Sequence, residues 1–207
     1  MSADRYRAML LFGAPGSGKG TQGKLLNALP GFCHVATGDI FRGLDAHSES
    51  GRIFHAYSDR GELVPDELTI RIWREHMHQL IETGAYRPHD QMLCLDGIPR
   101  SLNQAHVLDE YITPLSIIHL AARDLDAMVQ RMLRRALKEN RDDDADEHVI
   151  RNRFEVYRNE TQPVLDHYGD HLISQVDPMG TPAQVLCDIL KIIAPIQAEC
   201  FGNVLAK

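Results

Sequence analysis

The apolar positions of this chain fall into two patterns. Short continuous runs, Ala8 to Phe12, Cys33 to Val35, Met92 to Leu95, Ser116 to Leu120 and His171 to Val176, read as strands. Between them apolar residues recur at three and four, the helical period. Leu25, Leu26 and Leu29 predict a first helix, and Ile72, Trp73, Met77, Leu80 and Ile81 predict one that begins near Pro65 and stops at Gly84. The clearest stripe is Leu125, Met128, Val129, Met132, Leu133, Ala136 and Leu137. Further on, Ile150, Phe154, Tyr157, Leu165 and Tyr168 face inward on a helix expected to kink at Pro163. Thr181-Pro182 opens a last helix on Val185, Leu186, Ile189, Leu190 and Ile193, which Pro195 is expected to end. Residues 43 to 63 are polar and glycine-punctuated and predict a small helical flap with little core.

Composition narrows the class. A chain of 207 residues suits one α/β domain with small insertions. Its formal net charge of −7 argues against a general binder of nucleic acid or membrane surfaces, so an anionic substrate has to be met by local arginines. Cys33, Cys94, Cys187 and Cys200 form no C-x-x-C pair, which points to buried thiols in a reducing cytoplasm rather than a zinc ribbon or disulfide framework. No apolar segment follows Met1 to Arg5 and no run approaches bilayer length, so a soluble cytoplasmic protein without an N-terminal targeting segment is expected. The 11 histidines show no H-E-x-x-H or similar spacing and are read as ordinary surface or core residues.

The candidate chemistry starts where the first strand ends. Gly13-Ala14-Pro15-Gly16-Ser17-Gly18-Lys19-Gly20-Thr21 is a glycine-rich loop in which successive N–H groups can point at one anion, with Lys19 supplying charge and a helix N-terminus behind it. Gly13 through Lys19 satisfies the P-loop pattern. Gly20 stands where Ser or Thr would normally bind magnesium, with the hydroxyl one place later at Thr21. Met92 to Asp96 has the look of a central parallel strand closing on one carboxylate, where open α/β sheets place ligands, so Asp96 is a candidate to hold Mg²⁺ through water.

The loop G-x-P-G-x-G-K-G-T at Gly13 to Thr21 resembles that of nucleoside monophosphate kinases, adenylate kinase in particular. Thr37, Gly38, Asp39 and Arg42 are similar to that family's T-G-D-x-x-R segment. Asp96-Gly97-Ile98-Pro99-Arg100-Ser101-Leu102-Asn103-Gln104-Ala105 resembles its D-G-F-P-R-[TS]-x-x-Q-A signature, with Ile98 in place of Phe. Residues Arg141, Asp143 and Asp144 fit the R-x-D-D of its short lid. The lid stretch is too short, and lacks the cysteines, for a zinc-bearing lid.

The resemblance covers roughly residues 7 to 193 and implies a P-loop fold: a five-stranded parallel sheet flanked by helices, in one domain. Its core would be 1–36, 67–135 and 148–195, with a nucleoside-monophosphate insertion at 37–66, a short lid at 136–147 and a tail at 196–207. It implies transfer from ATP to AMP giving two ADP, with Mg²⁺ as cofactor, ATP, AMP and ADP as partners, and action as a monomer. ATP is then met by Gly13 to Thr21, Arg131, Arg135 and Gly180. AMP is met by Thr37, Gly38, Arg42, Leu63, Val64, Gly97, Arg100 and Gln104, the last through its adenine edge. Lys19, Arg100, Arg135, Arg141 and Arg153 would carry the transfer, the two lid-side arginines also touching AMP. Counted from Asp144, Arg153 comes one residue later than the family spacing, and Arg151 competes for its role. A pyrimidine monophosphate kinase on the same scaffold is disfavoured by Thr37 and Gln104. A non-enzymatic nucleotide-sensing protein is disfavoured by the joint presence of Lys19, Asp96, Arg100 and Arg135.

Overall fold

A computed structural model describes residues 5–122, 124–139 and 146–206. Its centre is a five-stranded parallel sheet in the order β2-β3-β1-β4-β5. The strands are β1 (Tyr6–Gly13), β2 (Phe32–Ala36), β3 (Met92–Asp96), β4 (Ile112–Leu120) and β5 (Ile173–Val176). The helices are α1 (Lys19–Asn27), α2 (Thr37–Arg42), α3 (Glu49–Ser58), α4 (Asp66–Glu82), α5 (Leu102–Leu108), α6 (Leu125–Glu139), α7 (Glu147–Val156) and α8 (Pro182–Phe201).

Continuous apolar strands are explained by helices on both faces. Along β1, Ala8, Leu10 and Phe12 join Leu93 and Leu95 of β3, Trp73 and Met77 of α4 and Leu108 of α5 in one core. Met9 and Leu11 point the other way and join Cys94, Leu26 of α1 and Ile189 and Ile193 of α8. Side chains alternate along a strand, so each run serves two cores at once. Trp73 is fully buried, edge-on to Tyr6 and Tyr111. A separate small core of Phe41, Phe54, Leu68 and Ile72 sits under α2 and α3, so the flap is better packed than its polar sequence implies.

Several expectations change. β4 begins four residues before the predicted Ser116, and Pro114 is accommodated where its register with β1 shifts between Ala8 and Met9. Helix α8 does not end at Pro195 but runs on to Phe201. Interrupting a helix with proline costs about 3 kcal/mol. Here the extension buries Phe201 against the α1–α8 core, its ring lies 4.0 Å below the Arg7 guanidinium carbon, and Arg7 also donates to the Cys200 carbonyl at 2.5 Å. The stretch 196–207 has no role from its sequence; its part up to Phe201 helps cover one face of the sheet. Leu137 is 86% exposed and lies off the α6 stripe, although Ala136 beside it is buried. After α7 the chain passes through a π turn (Tyr157–Thr161) into a 3-10 turn (Gln162–His167), which is how Pro163 is absorbed. Cys33 and Cys94 are buried, but Cys187 is exposed and Cys200 partly so; all four are free. His167 converges on His106 and Asp109, about 60 residues earlier in the chain, and pairs with Asp109 at 2.8 Å. No helix of the described residues is long and apolar enough to cross a membrane.

Candidate active site

The site lies at the carboxyl ends of the strands. Parallel pairing sets Leu11 beside Asp96 and Asp96 beside Ala36, so β2 and β3 end level with one another and β1, still paired with β4, runs two residues further to Gly13. From β1 the chain turns through Gly13, Gly16 and Gly18, at φ of 152°, 78° and 94°. A Cβ on Gly16 would also stand 2.9 Å from the Met128 carbonyl, so this turn requires glycine for space as well as for φ. Gly20 is helical; its missing side chain faces Asp96, whose Oδ2 would be 3.6 Å from a Cβ there.

Lys19 is the first residue of α1 and bends back over the loop, donating to the Gly13 carbonyl at 2.6 Å and the Ala14 carbonyl at 3.1 Å. Burial lowers its pKa to about 8, Asp96 opposes that shift, and Arg100, Arg135 and Arg153 add to it. His34 of β2, unnoticed in the sequence, places Nε2 3.7 Å from Asp96 Oδ2 with both side chains largely buried.

Two cavities meet at this lysine. One is bounded by Thr37, Gly38, Arg42, Leu63, Val64, Gly97, Arg100 and Gln104, by Gly13, and by Phe41, Phe54, Tyr157 and Thr161, which sequence reasoning missed. Phe41 follows the Thr37-Gly38-Asp39 segment and Phe54 is the one phenylalanine of the polar stretch 43 to 63; they stack with centroids 5.3 Å apart. The other is bounded by Gly16 to Thr21, Asp96, Arg131, Arg134, Arg135, Pro178 and Gly180. Arg131 ties α6 to the loop after β5 by donating to the Pro178 carbonyl at 3.0 Å. Ala14 lines neither cavity, and packs instead against the Met128 cluster on α6 and α7. Pro15, Lys19, Gly38, Arg42, Arg100 and Arg153 line both.

The lid-side arginines separate. Arg153 lies on the shared wall, whereas Arg151 is on neither and is paired with Glu147 at 2.7 Å and Asp126 at 3.8 Å. Arg141, Asp143 and Asp144 lie outside the described residues. Arg100 is folded back by a bond from its Nε to the Gly97 carbonyl at 2.8 Å, and its own carbonyl accepts from Thr161 Oγ1 at 2.9 Å. Arg42 donates to Asp39 Oδ1 at 2.6 Å. Gln104 is 1% exposed, with its amide held by Asp66 and by the Arg100 backbone.

A phosphate cradle joined by a wall of cations to a second, partly aromatic cavity is an arrangement for two anionic ligands whose charged ends meet. The adenylate kinase family model matches residues 11–173. The chain belongs to the adenylate kinase family. The adenylate kinase of Cyanothece is 36% identical over 199 residues, covering 92% of this chain and 97% of its own. That of Nocardia farcinica is 37% identical over 182 residues, 86% of this chain and 93% of its own. The Thermus thermophilus enzyme is 35% identical over 192 residues, covering 90% and 96%. Adenylate kinases are phosphotransferases, and the glycine loop after β1, the helix α1 and the Arg100 segment all fall within the matched span.

Proposed function

We propose that this protein transfers the γ-phosphoryl group of ATP to AMP, giving two ADP, with AMP in the Gln104 cavity and ATP in the P-loop cavity. The carrying observation is the shared wall: Lys19, Arg42, Arg100 and Arg153 border both cavities, so phosphates entering from either side meet the same cations. An AMP phosphate oxygen attacks the γ-phosphorus in line, forming one P–O bond as the bond to the β-bridging oxygen breaks. No protein nucleophile is needed. Positioning and charge stabilisation supply the rate, from Lys19, Arg100, Arg135, Arg141 and Arg153, and the flap and lid close to keep water from the γ-phosphate.

Asp96 suits Mg²⁺ in this reading. It is a hard oxygen donor on the cradle wall with no side chain on Gly20 between it and the loop, and Mg²⁺ keeps waters that such a carboxylate can hold. The ion would neutralise charge on the nucleotide phosphates. Both cavities come from one chain, which supports action as a monomer; sedimentation at assay concentration checks this.

A coupled assay for ADP with ATP and, in turn, AMP, CMP and UMP tests the proposal. AMP should be turned over with kcat/KM well above the pyrimidine nucleotides. Preference for CMP or UMP would assign the chain to pyrimidine nucleotides, and no turnover of any would remove the enzymatic reading.

A further inference from the structure

Resting on the AMP reading, we infer that Asp66 is a positioning residue for base selection, which locks the Gln104 amide in the one orientation that reads an adenine edge. Gln104 lies on the wall of the AMP cavity, and its Nε2 donates to Asp66 Oδ1 at 2.7 Å while its Oε1 accepts from the Arg100 N–H at 2.8 Å. Both partners are one-directional. A carboxylate only accepts and a backbone N–H only donates, so turning the amide over would set oxygen against oxygen and N–H against N–H.

Asp66 is itself fixed. It begins α4, and its oxygens accept from Ser101 Oγ at 3.0 and 2.9 Å and from Asn103 Nδ2 at 3.0 Å. Ser101 Oγ in turn caps α5 by accepting from the Gln104 N–H at 3.1 Å. The carboxylate thus reaches from the base of the flap to the segment that carries both Arg100 and Gln104.

The amide retains one N–H and one lone pair beyond these bonds. Adenine offers a donor at N6 and an acceptor at N1; hypoxanthine offers the reverse, an acceptor at O6 and a donor at N1. A locked amide matches the first and opposes the second, whereas a free amide can turn to suit either. Asp66 therefore acts through Gln104 on discrimination between AMP and IMP, without touching the nucleotide.

The test is the ratio of kcat/KM for AMP to that for IMP, with ATP as donor, in wild type, Asp66→Ala, Asp66→Asn, Gln104→Leu and the Asp66→Ala/Gln104→Leu double variant. Asp66→Ala should lower the ratio about tenfold, mainly through KM, with the KM for ATP unchanged. The near-isosteric Asp66→Asn should move it the same way, since its NH₂ can face Gln104; it serves if Asp66→Ala melts too low to assay. Once Gln104 is leucine, removing Asp66 should change the ratio no further, because the group it positions is gone. A ratio unaltered in both Asp66 variants, or an equal further fall in the double variant, overturns the inference while leaving the AMP reading intact. Absence of AMP turnover in the wild type would overturn the AMP reading, and the role of Asp66 with it.

Discussion

The two cavities that meet at Lys19 are suited to anions by different means. The P-loop cavity joins a glycine turn and the N-terminus of α1 to a ring of cationic side chains, among them Arg131, Arg134 and Arg135 of α6, and has no aromatic residue among the described residues of its wall. The Gln104 cavity has a stacked pair of phenylalanines, aliphatic Leu63 and Val64, and one amide whose orientation is set by its neighbours. The first is suited to hold phosphates whatever base they carry; the second is suited to choose a base. Lys19, Arg42, Arg100 and Arg153 stand where they join, so in the proposed reaction the transfer machinery belongs to both and selectivity to one.

Removing the shared cation breaks the comparison most severely. Lys19→Met should fold and lose about 10³-fold or more in kcat with every monophosphate, because the charge that follows the migrating group is gone. Its ligand-free form should melt no lower than wild type, since a lysine whose burial lowers its pKa to about 8 disfavours the fold while charged. Near-wild-type turnover would remove Lys19 from the mechanism.

Next come the two lid-side arginines. Arg153→Ala, on the wall common to both cavities, should cost about 10²-fold in kcat/KM. Arg151→Ala, which loses an exposed pair with Glu147, should stay within about twofold. The opposite ranking would mean that the extra residue before α7 has moved the site.

A smaller effect follows from pH. Lys19 holds its proton below about pH 8 and loses it above, so ATP binding to the free protein should weaken by up to about fivefold between pH 8 and pH 9, measured by calorimetry. Lys19→Met should abolish that slope. The linked stability runs the other way. In the unfolded chain the lysine keeps its proton up to the usual 10.5, so the ligand-free fold gains stability between about 8 and 10.5 from this group.

The smallest change sharpens the division of labour. Phe54→Leu should raise the KM for AMP by about three- to tenfold and leave the KM for ATP in place, since Phe54 borders only the base-selecting cavity. Equal effects on both nucleotides would show that the flap serves the two sites alike.

Much of this protein was legible along the chain because the relevant signals are local. The strand runs, the glycine turn before Lys19, the end of α4 at Gly84 and the carboxylate closing β3 each depend on residues within a few positions of one another, where periodicity and φ preference act. Local rules misjudged the elements that long-range packing controls. Pro195 reads as a helix stop, and α8 passes through it because Phe201 and Arg7, 194 positions apart, stabilise the continuation. The sequence put Arg153 first and left Arg151 as its competitor; the direction each takes from α7 is a tertiary fact, one toward Glu147 and one into the cleft. Gln104 shows the division most plainly. Its amide chemistry was evident from residue type alone, but which end faces which neighbour was decided by Asp66, 38 residues earlier in the chain, and by an N–H of the Arg100 backbone. Sequence thus determined which groups are available and where the chain turns, and the tertiary structure decided their orientation, because the hydrogen bonds that fix a buried polar group come from whatever the fold brings beside it.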